Sequence, residues 1–146
     1  MTGTHQIPFS GQRIISFALV FGMTMYAIAA GVILQTNDGV GLLEEPMPVL
    51  DTAALVVGCV TGLGALVLRT IMNKRAEAAL PEDRQMPRFV SRIVPLAMLE
   101  LGCLLAITAW MLNGAAKPSL VVACVLLSIA IAIVPFQDPD ADASNP

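Results

Sequence analysis

An all-α integral membrane fold, four transmembrane helices in an antiparallel bundle, is what the 146-residue chain predicts, and three observations carry the prediction. The composition is 56% hydrophobic and only 13% charged, with a mean hydropathy of +0.77, outside the range of soluble domains of this size. The apolar residues come in blocks. No charge falls between Ile14 and Asn37, between Thr52 and Leu68, or between Pro118 and Gln137, and Glu100 is the one charge between Ile93 and Ala116. A crossing helix needs about 20 mostly apolar residues, so each block reads as one pass.

Residues 1–13 form a polar lead, expected at the membrane surface or in the cytoplasm. The first helix is predicted over 14–34. Arg13 and the triplet Ala27-Ile28-Ala29 resemble the start and cleavage site of a signal peptide, but the apolar run goes on to Leu34. That is longer than a signal core needs, so an uncleaved helix is expected. The loop Thr36–Leu50 contains Gly39, Gly41, Pro46 and Pro48, which interrupt helices. Its Val40, Leu42, Leu43, Met47, Val49 and Leu50 are suited to rest on the membrane interface or on a partner.

The second helix is predicted over 51–72, with Asp51 as its N-cap. A short helix at Lys74–Leu80 follows, interrupted by Pro81 and Pro87. The third helix is predicted over about 93–112, with a start near Phe89 or Ile93, Pro95 suited to its first turn and Asn113-Gly114 as its stop. Only a few residues separate it from the fourth helix, 119–134, so these two form a tight antiparallel hairpin. Residues 14–136 then make one transmembrane domain. The tail 137–146, with Asp138, Asp140 and Asp142, reads as disordered.

The net charge of −3 gains meaning once it is mapped onto the loops. Lys74, Arg75, Arg84, Arg88 and Arg92 lie between the second and third helices, while Asp38, Glu44 and Glu45 occupy a first loop without Lys or Arg. The positive-inside rule puts the basic loop, and with it both termini, in the cytoplasm; Lys117 in the third loop points the other way. Glu77, Glu82 and Asp83 interleave the basic residues, which argues against nucleic-acid binding and leaves membrane lipid as the natural partner. No cofactor or metal is expected. Cys59, Cys103 and Cys124 fall in apolar helices with no C-x-x-C, and the one histidine, His5, lies in the lead.

Glu100 is the principal candidate site. It lies seven residues beyond Ile93, about 10 Å into a core about 30 Å thick. An ionisable residue at that depth is costly and is a functional hypothesis with a partner to be named. Arg69, near the end of the second helix, enters from the same side and is the candidate partner. Alternatives are a protonated Glu100 bonded to Thr24, Tyr26, Thr61 or Ser128, with Arg69 snorkelling alone. The functional reading is a carboxylate that binds a cation or exchanges a proton. The second signal is small-residue spacing. Ala54, Gly58 and Gly62 on the second helix, and Ala18 and Gly22 on the first, suit close backbone packing within the bundle or between copies of it.

An internal repeat is also visible. Arg-Ile-Ile-Ser-Phe-Ala-Leu from Arg13 aligns with Arg-Ile-Val-Pro-Leu-Ala-Met from Arg92, and Leu55–Val60 aligns with Leu120–Val125. Two repeated helical hairpins and a chance likeness of apolar helices both account for this. In the alignment Glu100 matches Phe21, so only the second copy carries the carboxylate.

The third helix, R-I-x-x-x-A-M-L-E-L-G-C-L-L-A-I, resembles the carboxylate helix of the proteolipid c subunits of rotary ATPases, which implies Glu100 as an ion-carrying group. The basic loop implies termini opposite to theirs, and their dense glycine repeat is only partly present. More of the chain resembles small uncharacterised bacterial four-pass membrane proteins, through an Arg-Ile start to each hairpin, A-x-x-E in the third helix and a Pro closing the fourth. That resemblance implies a bacterial cytoplasmic membrane and brings no activity with it. With no converging polar residues, a non-enzymatic structural or accessory subunit of a membrane assembly is expected, with proton or cation translocation through Glu100 as the alternative.

Overall fold

The computed structural model describes residues 9–78, 85–114 and 118–134. The expectations for residues 1–8, for Pro81, Glu82, Asp83 and Arg84, for Lys117 and for the acidic tail fall outside the described residues. Four helices and no strand are present among those described: α1 (Phe9–Thr36), α2 (Pro48–Ala78), α3 (Gln85–Asn113) and α4 (Pro118–Ile133). The first three are long and apolar enough to cross a membrane, whereas α4 is a 16-residue apolar helix. The outer surface is itself apolar: Ile14, Phe21, Val60, Leu63, Leu101 and Val121 are all more than 60% exposed. Apolar contact on that scale suits a lipid solvent, and the protein is built for a membrane.

The helices extend past the apolar runs. α1 begins five residues before Ile14, α2 absorbs the Lys74–Ala78 stretch expected as a separate helix, and α3 begins eight residues before Ile93. Polar side chains do not interrupt backbone hydrogen bonding, so hydropathy marks the membrane core and not the helix ends. Two local readings change with the boundaries. Pro48 takes the first position of α2 and the Leu50 N–H bonds Met47 C=O (3.0 Å), so Asp51 sits within the first turn and is not the cap. Pro95 lies inside α3, fully buried, where it removes the N–H that would reach the Ser91 carbonyl.

α3 is the hub. It packs on α1, α2 and α4; α2 also packs on α4, α1 touches α4 lightly, and α1 and α2 make no contact among the described residues. α3 buries 44% of its most apolar 18-residue stretch, against 17% for α1 and 22% for α2. The expected repeat of two packed hairpins is therefore not reproduced in space, because α3 stands between α1 and α2. The α1–α2 loop makes this arrangement possible by crossing the end of α3. Asp38 and Gly39, both with positive φ (55° and 77°), end α1 and turn the chain. The Leu42 and Leu43 N–H groups then donate to the Met111 and Leu112 carbonyls (3.2 and 3.0 Å), which the helix end itself leaves open.

Two glycines allow that crossing. A Cβ on Gly41 would overlap Leu112 O and Asn113 C, and one on Gly114, whose φ is 72°, would overlap Gly41 N. The Asn113 side chain completes the clasp, accepting from Met47 N–H and donating to Met47 C=O, both at 3.0 Å. Ser119 Oγ donates to the Asp51 carboxylate at the same end, tying α4 to α2. Of the residues expected on the interface or a partner, Leu42 and Leu43 cap α3 through their backbone N–H groups, and Val40, Leu42 and Met47 keep their side chains at the surface.

Candidate functional site

The core around α3 is made mostly of small side chains, with Ala54, Ala65, Cys103, Ala106 and Ala130 fully or almost fully buried beside Met23, Leu96, Leu99 and Leu126. Small residues let backbones approach where no hydrophobic effect drives helices together. On the α2 side that approach is at its limit. A Cβ on Gly102 would overlap Thr61 Oγ1 and stand 3.1 Å from Leu126 Cδ1, and one on Gly64 would stand 3.1 Å from Met98 Cε. Gly58 and Gly62, with buried Ala54, face α4: a Cβ on Gly58 would overlap Val122, and one on Gly62 would stand 3.1 Å from Leu126 Cδ2. The α2 stripe is accordingly a packing surface within the bundle. Ala18 and Gly22 differ, since both are exposed and a Cβ on Gly22 meets nothing within 4 Å.

These contacts give the helices their register. Thr61 beside Gly102 and Gly64 beside Met98 show α2 antiparallel to α3, and they set Glu100 level with Gly62 or Leu63. Arg92 Nη1 donating to Gln12 Oε1 (3.4 Å) and the Tyr26–Thr108 hydroxyl pair (2.9 Å) show α1 parallel to α3. Those pairs set Glu100 level with residues 18–20 of α1, where the side chains are Ala18, Leu19 and Val20.

Glu100 is half-buried, one and two turns before Leu104 and Thr108 on the flank of α3 that reaches Tyr26 of α1. Met98 and Gly102 mark the opposite flank, toward α2. Among the described residues no hydrogen bond or ion pair reaches the Glu100 carboxylate. No fully buried side-chain oxygen or nitrogen there lacks a partner, so this carboxylate opens to the outer surface of the bundle, beside exposed Ala97 and Leu101.

The expected partners are engaged elsewhere. Thr24, Thr61 and Ser128 donate to the carbonyls of Val20, Val57 and Cys124 within their own helices, and Tyr26 pairs with Thr108. Such bonds satisfy hydroxyls where no water is present. Arg69 lies six or seven residues along α2 from the level of Glu100, a rise of about 10 Å, and on the other flank of α3. The structure does not bring this pair together.

Arg69 instead joins a second polar feature, a cleft of about 330 Å³ where the ends of α2, α3 and α4 meet. Arg69, Asn73 and Glu77 of α2 line it with Arg88, Ser91 and Arg92 of α3. The sequence signal for this cleft was the dense basic stretch, but its convergence depends on which helices neighbour one another. Among the described residues no three His, Cys, Asp or Glu side chains approach closely enough to hold a metal ion. Cys59 and Cys124 are exposed on the apolar surface and Cys103 is buried against the Ala123 carbonyl (3.7 Å).

The architecture defines a membrane-type helical protein organised on a central helix. In comparisons with known proteins, no family model, no curated protein and no solved structure matches the chain.

Proposed function

We propose that the protein is a small non-enzymatic four-pass subunit of a membrane assembly in a bacterial cytoplasmic membrane, and that Glu100 is where it meets another polypeptide. The observation that carries this reading is the unpartnered carboxylate opening outward from the middle of an apolar helix. A charge at that depth costs about 2.5–3.5 kcal/mol in helix insertion, and nothing in the described chain offsets it. A donor from a neighbouring subunit, a second copy or a different chain, supplies what is missing. The remaining membrane-level hydroxyls are bonded within the fold, which supports a structural part over an enzyme.

Four passes are supported by register. Asp51 and Ser119 fix the start of α4 level with the start of α2, and α4 ends beside Arg69. α4 thus covers the same height as the uncharged part of α2, although its 16 residues span only about 24 Å. Arg69, Lys74, Arg75, Arg88 and Arg92 gather at one end and Asp38, Glu44 and Glu45 at the other, which supports cytoplasmic termini.

A second reading rests on the same carboxylate: an outward-opening acid can take up and release a proton or a cation as the alternative to pairing. Modification with dicyclohexylcarbodiimide separates the two. For a subunit contact, Glu100 reacts in the purified chain and is shielded in native membranes whatever the pH or Na⁺ concentration. Protection by Na⁺ in the purified chain, relieved when acid restores the protonated carboxyl, establishes the carrier instead. A Glu100 that is inert in both settings sinks both readings.

A further inference from the structure

The arginine cleft continues into an apolar groove. On the outer side of α2 and α4 a groove of about 350 Å³ is lined by Leu55, Gly58, Gly62 and Leu66 of α2 and by Val125 and Ile129 of α4. The next turn of each helix brings Arg69 and Ala132, which belong to the cleft. Residues 55, 58, 62, 66, 69 and 73 advance by three or four, so groove and cleft are one continuous stripe of α2. The groove runs from Leu55 to Leu66, about 17 Å along the helix.

We propose that this stripe binds one anionic phospholipid, with its phosphate among Arg69, Arg88 and Arg92 and an acyl chain lying in the groove between α2 and α4. Charge supports the occupant: among the described residues Arg69, Arg88 and Arg92 line the cleft together with one carboxylate, Glu77. Guanidinium forks match phosphate oxygens in pairs. Depth supports it as well. Arg69 directly follows the uncharged run that ends at Leu68, and Arg92 directly precedes the one that begins at Ile93, so the cleft lies at the boundary of the apolar core, where headgroups are. Basic pockets between helices at that level are suited to anionic headgroups. Free phosphate would use the cleft alone and leave the groove without a role. The proposal is independent of the part assigned to Glu100.

Native mass spectrometry of the full chain released from detergent provides the test, with phosphatidylglycerol and phosphatidylcholine of identical acyl chains supplied in equal amounts. The wild type should retain phosphatidylglycerol at least about fivefold better, and Arg69→Gln should reduce that preference about fivefold, the worth of one interfacial cation. Val125→Trp, which fills the groove at a residue already 52% exposed, should lower retention of both lipids. Equal retention of the two lipids by the wild type overturns the proposal, and that result does not depend on any variant folding. An unchanged preference in Arg69→Gln also overturns it. Retention unaffected by Val125→Trp, with inorganic phosphate displacing the lipid, would assign the cleft to phosphate alone. A lipid-free dimer would assign the groove to a second copy.

Discussion

The two flanks of α3 are built on opposite plans. Toward α2 and α4 the contact is glycine on side chain, with Gly64 and Gly102 leaving no room for an added carbon without a neighbour moving, and Gly58 and Gly62 close α2 on α4 in the same way. Toward α1 the helix presents Glu100, Leu104 and Thr108, joined to α1 at this level by the Tyr26–Thr108 hydroxyl pair. The tight flank fixes the arrangement of helices. The looser flank carries the one carboxylate in the middle of a pass among the described residues, and α1, packed only on α3 and lightly on α4, leaves that group reachable from outside. In a lipid solvent stability comes from close packing and satisfied polar groups, so a polar group omitted from the bonding of the fold is the natural place to look for function.

Substitutions on either flank test this contrast, each read as a shift in unfolding free energy of the purified chain in one detergent. The largest loss is expected from Gly102→Leu, whose new atoms run into Thr61 and Leu126; overpacking of this kind costs about 3 kcal/mol. A thermal transition at the wild-type temperature would show that the tight flank is looser than drawn. Asn113→Ala removes both bonds to Met47 at the loop clasp and should cost about 2 kcal/mol, since backbone groups lose their partner. Gly22→Ala acts in the opposite direction. With open space around it, the variant should gain up to about 1 kcal/mol from helix preference, and a loss would place Gly22 in a contact between copies. Tyr26→Phe on the looser flank should cost only about 0.6 kcal/mol, the usual worth of a hydrogen bond between membrane helices.

What could be read in advance follows from which properties are local. Charge-free blocks marked the four helices because hydropathy is carried residue by residue, and Asn113-Gly114 marked the end of α3 because its left-handed glycine has a local signature. Helix ends were misjudged where Gln12, Lys74 and Arg88 continue a helix beyond the apolar run, and Pro95 looked like a first-turn residue for the same reason. Neighbour relations were hidden. The small residues spaced along α2 lie against α4, but the same spacing at Ala18 and Gly22 faces outward, and a sequence period does not say which face has a neighbour. Arg69 looked like the partner of Glu100 because both enter from one end. The height and flank that separate them emerge only from the Thr61–Gly102 and Gly64–Met98 pairings. The loop clasp of Gly41 on Gly114 joins positions too far apart in sequence to show any periodicity.

The central claim, that the partner of Glu100 comes from outside the chain, is most directly tested by photo-cross-linking in native membranes from a benzophenone side chain at Leu101, beside Glu100 and 63% exposed. A discrete adduct with another polypeptide is expected, and it should disappear in the Glu100→Ala background while the protein remains inserted. Cross-links to lipid only, unchanged by Glu100→Ala, would contradict the claim.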